Sequence, residues 1–402
     1  MITISLSPNT EKDDILLSFK LLFQPWKWKK GRAVKKLEDE FKKHFNVKYA
    51  FSFNSARSCL MAISEGLKGD VLLQAFTCNA AANPVRWFGL KPVYIDVGDD
   101  FNIDVEDLKK KITPESRILM VQHTFGIPAN MKEIVKIAEQ NNLMLIEDAA
   151  HALGAEYEGK KIGSFGKAAF FSFSRDKIIS SVYGGMVITN DKEMAKKIAT
   201  FQKRIGYPSL FWVKQQLFHP ITMNWIILPT YKIIGKYILV FLQSVKLLSK
   251  AVHWREKKGD IPSYIPRRMP NALALLALNQ FKKLKKFNNH RNEIAEFYFK
   301  NLKGFELPKI PKNTQPVFLR FSVKHKDAHK IIRKFWDKNI LIGDWYTSPI
   351  APDDTDLEKL EYKMGSCPNA ERLSKITFNL PTHINISKKQ AEKIVNLLNN
   401  YK

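Results

Sequence analysis

At 402 residues, 45% of them hydrophobic, the chain can bury a large core and a smaller one, which excludes intrinsic disorder. Its 65 Lys and Arg against 39 Asp and Glu leave a formal charge of +26, which suits any anionic partner: a nucleoside diphosphate, nucleic acid or an acidic membrane. Three widely spaced cysteines, Cys59, Cys78 and Cys367, indicate neither a disulfide framework nor a zinc site, so no metal is expected and a reducing cytosol fits best.

The N-terminus, MITISLSPNTEKDD, lacks the basic start and apolar core of a secretory signal. The first ~30 residues read as an arm, and GRAVKKLEDEFKKHF after it reads as an amphipathic helix. Short apolar runs follow at 50–53, 71–73, 92–95, 118–121, 143–146 and 168–173. They alternate with helical spacing, including residues 56–67 and 131–141. This alternation predicts a mainly parallel sheet with crossover helices, so residues 1–203 are expected to form a large α/β domain. Residues 204–258 turn apolar and basic, with no carboxylate between Glu193 and Glu256, and read as an insertion. Residues 259–402 begin with helical patterns at 271–281 and 289–302 and continue as a smaller α+β domain ending in a helix over 388–401.

Three segments carry candidate chemistry. IEDAAHALGA (146–155) places acids directly after an apolar strand, where ligand sites of open α/β sheets lie. A carboxylate held there can keep a pyridinium ring protonated, although an acid in that place is more often a helix cap or a solvated loop residue. FFSFSRDKIISSVYGG (170–185) runs a strand into Ser172, Lys177 and Gly184-Gly185. A lysine fixed on such a turn can attack an aldehyde, and Ser172 can bind a phosphate; in so basic a chain, a single lysine is otherwise a solvated one. FNSARSCLMAI (53–63) is a strand, a polar turn and a helix start, which makes either an anion cradle or an ordinary N-cap at Asn54 or Ser55.

Taken together, the order and chemistry of these segments resemble the nucleotide-sugar aminotransferases, the DegT/DnrJ/StrS group of pyridoxal phosphate (PLP) enzymes with the type I aminotransferase fold. The likeness extends through KPVYIDV, VQHTFGIPANM, RMPNALALLALNQFKKL and CPNAERLSKITFNLP. It implies that Lys177 is the Schiff-base lysine, Asp148 the partner of the ring nitrogen and His151 the contact to the ring's phenolic edge. Ser172, Ser55 and Ala56 would bind the phosphate. Cys78 would line the ring, in a place where an aromatic side chain commonly stacks. Arg268 would approach the partner subunit's cofactor in a homodimer with shared active sites. Pro266 stands where many relatives have Asn, and Tyr183 where an acid is usual. The implied reaction moves an amino group, with glutamate as donor, onto a nucleotide-linked keto-sugar. A related dehydratase carries histidine at the lysine position; a non-catalytic binding protein of the same fold would have little chemical reason to keep Asp148, Ser172 and Lys177. The basic residues are spread without a nucleic-acid recognition motif.

In the insertion, Pro220, Pro229, Lys232 and Lys236 interrupt the apolar run before the roughly 20 residues of a membrane span. On a helix, Lys232, Lys236, Gln243, Lys246 and Lys250 fall within an arc of roughly 80° opposite a wide apolar face. Residues 211–250 are therefore expected either to lie on an anionic membrane surface, making a cytoplasmic protein peripheral at the inner face, or to pack in the core or a subunit interface.

Overall fold

The computed structural model describes residues 1–401. Its centre is a seven-stranded sheet built from β1 (Tyr49–Phe53), β2 (Asp70–Gln74), β3 (Lys91–Ile95), β4 (Ser116–Gln122), β5 (Met144–Asp148), β6 (Ala168–Ser172) and β7 (Gly185–Thr189). The strand order is β1-β7-β6-β5-β4-β2-β3, and β7 alone runs antiparallel to its neighbours. All six apolar runs of the sequence form strands, within one to two residues of their expected bounds. The seventh strand, GMVIT, begins on the second of the paired glycines, which masks its short apolar run in the sequence.

Both faces of the sheet are covered, which is why the strands are almost continuously apolar. On one face lie α1 (Lys12–Leu22) and α2 (Ala33–Phe45), where Phe41 stacks on Phe281 and meets Phe171 of β6 edge-on. On the other lie α3 (Ala56–Ser64), α4 (Asn79–Trp87) and α5 (Lys192–Arg204). A helical run, α6 (Leu210–Ser244), occupies the insertion. Two helices, α7 (Asn271–Phe281) and α8 (Leu284–Asn301), then lead to a smaller layer with its own core, where β8 (Phe321–Lys324) pairs antiparallel with β9 (Thr377–Leu380). Helix α8 starts five residues before the expected bound of 289, because Leu284 and Phe287 are buried and extend its apolar face upstream. The N-terminal arm reaches across to that smaller layer: Ile2 and Thr3 pair in parallel with Ile340 and Leu341.

Candidate active site

Strands β1, β5 and β6 deliver their carboxyl ends to one edge of the sheet, where loops can leave the sheet and converge. Successive strand residues point to opposite faces, and this separates the two adjacent acids. Glu147 accepts N–H groups from Gly163, Phe165 and Gly166 at 2.7–2.8 Å and is structural. Asp148 faces the cavity and accepts the Ala150 N–H at 3.0 Å. Burial pushes its carboxyl up to about 6, against the pull of that hydrogen bond and of Lys177 and His123.

Lys177 sits in the loop between β6 and β7, where its N–H donates to the Ser174 carbonyl at 3.1 Å and its own carbonyl is held by the Asn9 side-chain amide. Burial pulls its amine down to about 8, outweighing the nearby Cys78, Asp148 and Asp176. Such an amine is neutral in an appreciable fraction at physiological pH, as an aldehyde-attacking lysine must be. His151 accepts the Phe125 N–H at Nδ1, 3.3 Å, so its proton lies on Nε2, 3.5 Å from the Tyr346 hydroxyl. Burial drives its pKa well below the usual value, leaving a neutral ring with one donor aimed into the site.

Ser55 caps α3, accepting the Ser58 N–H at 3.1 Å, and the start of that helix faces the cavity through Ser55, Ala56 and Arg57. Gly185 passes so close that a Cβ there would lie 2.7 Å from the Ala56 nitrogen, so only glycine leaves this helix end open for an anion. Ser172, at the end of β6, lines the same cavity. Cys78 lines it too and caps α4, accepting the Ala80 N–H at 3.5 Å; it offers no ring to stack. An aromatic face is present nonetheless. Trp345, from the smaller C-terminal layer, stacks on His151 at 5.4 Å and 18°, with Lys177 Nζ 4.7 Å from its ring centre and the Arg320 guanidinium 3.3 Å from it.

Seven of the eight residues singled out in the sequence, Ser55, Ala56, Cys78, Asp148, His151, Ser172 and Lys177, therefore line one cavity. Arg268 does not. Its guanidinium donates to the Gln202 and Lys203 carbonyls at 2.6 Å and so caps the end of α5. Several residues reach the cavity without a sequence signal, because distant segments supply them: Trp345 and Tyr346, and Ala251 and Val252 from the end of the insertion. Arg57 follows Ala56 and Arg175 lies two residues before Lys177, a proximity that is the one signal for them in the sequence. A larger groove of about 940 Å³ lies between the N-terminal arm and α6, but its charged groups are engaged with one another, as in Lys283 with Asp13 and Lys286 with Glu11.

The donor set fits pyridoxal phosphate. A depressed amine suits its aldehyde, a dry carboxylate its protonated ring nitrogen, a neutral imidazole N–H its phenolic oxygen, and an open helix start its phosphate. On a mainly parallel sheet, with these groups at its carboxyl edge, this defines a PLP-dependent aminotransferase of the type I fold. The chain belongs to the DegT/DnrJ/EryC1/StrS aminotransferase family, whose profile matches residues 9–216 and 245–399. It is similar to a GDP-perosamine synthase of Escherichia coli O157:H7, 27% identical over 94% of this chain and 92% of that one. It also resembles a UDP-4-amino-4,6-dideoxy-N-acetyl-beta-L-altrosamine transaminase of Campylobacter jejuni, 30% identical over 69% and 73% of the two chains. Among solved structures, PseC of Helicobacter pylori, an aminotransferase involved in the biosynthesis of pseudoaminic acid, superposes with a TM-score of 0.76 at 21% identity, covering 99% and 98% of the two chains.

Proposed function

We propose that this enzyme transfers an amino group from an amino acid, glutamate first among the candidates, to the keto carbon of a nucleotide-linked sugar for polysaccharide biosynthesis. The observation that carries the reading is Lys177: a buried amine with its pKa pulled down to about 8, in one cavity with Asp148 and the open start of α3. The names of the relatives support the sugar nucleotide as acceptor.

The cofactor, when bound, supplies an aldehyde carbon and an electron-withdrawing ring. With it in place, Lys177 Nζ would be the nucleophile toward that aldehyde and the base and acid for a proton at the donor's α-carbon. Asp148 would hold a proton on the ring nitrogen, His151 Nε2–H would orient the phenolic edge, and the start of α3 with Ser172 would fix the phosphate. A dehydratase reading needs a group other than an amine at position 177 and is disfavoured by Lys177. The test is incubation of the purified protein with PLP, glutamate and a panel of nucleotide keto-sugars, with products identified by mass spectrometry. An aminated nucleotide sugar is expected; deoxygenation without amine gain would establish the dehydratase instead.

The same reading includes a homodimer with shared sites, in which Arg268 presents the part of its guanidinium not used at the end of α5 to the partner's cofactor phosphate. Mixing Lys177→Ala and Arg268→Ala chains is expected to restore part of the activity that each lacks alone. A monomer fully active at high dilution would refute the shared site.

A further inference from the structure

Helix α6 divides by burial. Trp212, Val213, Leu217 and Ile221 pack inward while Phe211 and Phe218 of the same part stay exposed, and beyond Asn224 most large side chains other than the buried Ile227 turn outward: Trp225 is 52% exposed, Ile233 77%, Tyr237 63% and Phe241 61%. Packing within the chain thus covers one face of the first part of the insertion and leaves most of the second uncovered. The segment 217–244 is also what the family profile does not match, so the shared fold does not require it.

By length and composition Leu210–Ser244 could cross a membrane, but its path is not that of a span. Along a straight α-helix Gln215 and Lys246 would lie about 46 Å apart. Instead the Gln215 side-chain amide donates to the Lys246 carbonyl at 2.6 Å, so the run folds back on itself. The reversal falls beside Pro229, where Thr230 leaves helical geometry at φ −100° and ψ 5°, between π-turns at Met223–Ile227 and Tyr231–Gly235. Met223, Ile227, Leu239, Leu242 and Leu248 hold the two arms together. The returning arm, 231–244, covers about 21 Å at 1.5 Å per residue, short of the roughly 30 Å of a hydrocarbon core. Both ends of the hairpin are fastened to the catalytic domain.

The exposed surface continues onto α1. Phe19 lies 5.9 Å from Trp225, ring to ring, and joins Phe23 and Trp26, exposed by 67% and 71%. Its unpaired ionic groups are basic: Lys20 lies in the last turn of α1, Lys27, Lys29 and Lys30 follow it in the chain, and the insertion adds lysines at 232, 236, 246 and 250 with no carboxylate between Glu193 and Glu256, while Glu11 and Asp13, which share a groove with Trp225, are paired with Lys286 and Lys283. A two-fold contact between copies would set these lysines against themselves, which disfavours self-association. An anionic bilayer accepts both the apolar side chains and the lysines.

We propose that the C-terminal part of α1, Trp26 and the α6 hairpin form a monotopic docking surface for an anionic lipid bilayer, the aromatic and aliphatic side chains entering the acyl boundary and the lysines meeting the phosphate headgroups. The chain leaving the hairpin runs directly to the catalytic cavity. Arg175 donates to the Ser249 carbonyl and hydroxyl at 2.8 Å, the Tyr183 hydroxyl to the Lys250 carbonyl at 2.6 Å, and Ala251 and Val252 form part of the cavity wall. The docked surface and the site are thus joined by a short hydrogen-bonded segment, whichever keto substrate the enzyme takes.

The test is flotation of the full-length, PLP-loaded protein with vesicles of phosphatidylcholine alone and of phosphatidylcholine mixed with phosphatidylglycerol. The wild type is expected to float with the mixed vesicles. Two triple variants, Trp225→Ser/Ile233→Ser/Phe241→Ser and Lys232→Glu/Lys236→Glu/Lys246→Glu, are expected to lose at least about tenfold in binding while keeping cofactor absorbance and elution volume. The proposal is overturned if wild type stays unbound to the mixed vesicles or if both variants float like wild type. It is equally overturned if the apolar variant dissociates an oligomer that wild type forms in the absence of lipid, which would assign the face to a second copy of the chain.

Discussion

Lys177 and Asp148 share a cavity wall yet are tuned in opposite senses by the same cause, burial, which disfavours the charged form of each. For Lys177 the consequence is kinetic. Capture of PLP by the apoprotein is expected to slow tenfold per pH unit below about 8 and to level off above it, because only the neutral amine attacks; stopped-flow absorbance measures this. Borohydride should then fix the cofactor to Lys177, as read by peptide mapping, and Lys177→Ala should abolish transfer. For Asp148 the consequence is thermodynamic. A carboxyl raised from 3.8 to about 6 binds its proton more tightly in the folded chain, so its contribution to stability is present below pH 3.8 and lost as pH rises through 6. Asp148→Asn should therefore stabilise the apoprotein by on the order of 3 kcal/mol at pH 7 and by little at pH 4, measured by urea denaturation, while turnover with PLP falls by several orders of magnitude. Trp345 completes the residue scale. Trp345→Ala should weaken PLP binding by about tenfold, the value of one aromatic contact, with Trp345→Phe recovering most of it in absorbance titrations.

Among the elements, the strap from Ser249 to Glu256 ties the insertion to the pocket helix α3. Glu256 is fully buried and ion-paired with Arg57, and it also accepts the Tyr264 hydroxyl at 3.1 Å, while its backbone carbonyl receives the Asn83 amide at 2.8 Å. The pair raises the Arg57 pKa above its usual value even though burial opposes it. Removing one partner leaves a buried, unpaired charge, so Glu256→Gln is expected to cost about 3–5 kcal/mol by thermal or chemical denaturation. Arg57→Met with Glu256→Leu should cost much less. The cavity beneath the strap is about 120 Å³, below the roughly 300–1,000 Å³ usual for ligand sites, so part of its wall is expected to give way when a nucleotide sugar enters, and Ala251 and Val252 on the strap are the expected movers. Fluorescence of a label at Ala251 should change on substrate binding, and an unchanged signal would place the entry route elsewhere.

At the scale of the whole molecule, three cores meet around one edge of one sheet. Two flank the sheet and the third fills the smaller C-terminal layer, which contributes Trp345 and Tyr346 to the cavity and receives Ile2 and Thr3 from the opposite end of the chain. The arm is also wired to the site through Asn9, whose amide holds the carbonyls of Lys177 and Ile178 and whose oxygen accepts from the buried Arg291 at 2.6 Å. Deleting residues 1–10 is therefore expected to lower PLP affinity and to take from the buried Arg291 the Asn9 acceptor, leaving it the Leu319 carbonyl and the Thr382 hydroxyl, with a lower melting temperature as the readout. The same architecture sets the insertion apart, because α6 beyond Asn224 contributes little to any of the three main cores and forms a small cluster of its own.

The sequence by itself determined the sheet and most of the site, since strand ends, turn chemistry and helix starts are local signals. IEDAAH, SRDK and FNSAR each announced a residue that the fold then brought to one cavity. Only the tertiary structure could separate Glu147 from Asp148, because the face on which each acid falls depends on strand pairing. Only it could bring Trp345 to the cavity that Cys78 lines, because the two residues are joined by no local pattern. The sequence also left open whether the lysine-flanked apolar run packs inward. The fold decided this in halves: the part beside α1 and α7 finds partners, while the part beyond the Pro229 reversal has too little of the chain near it to be covered.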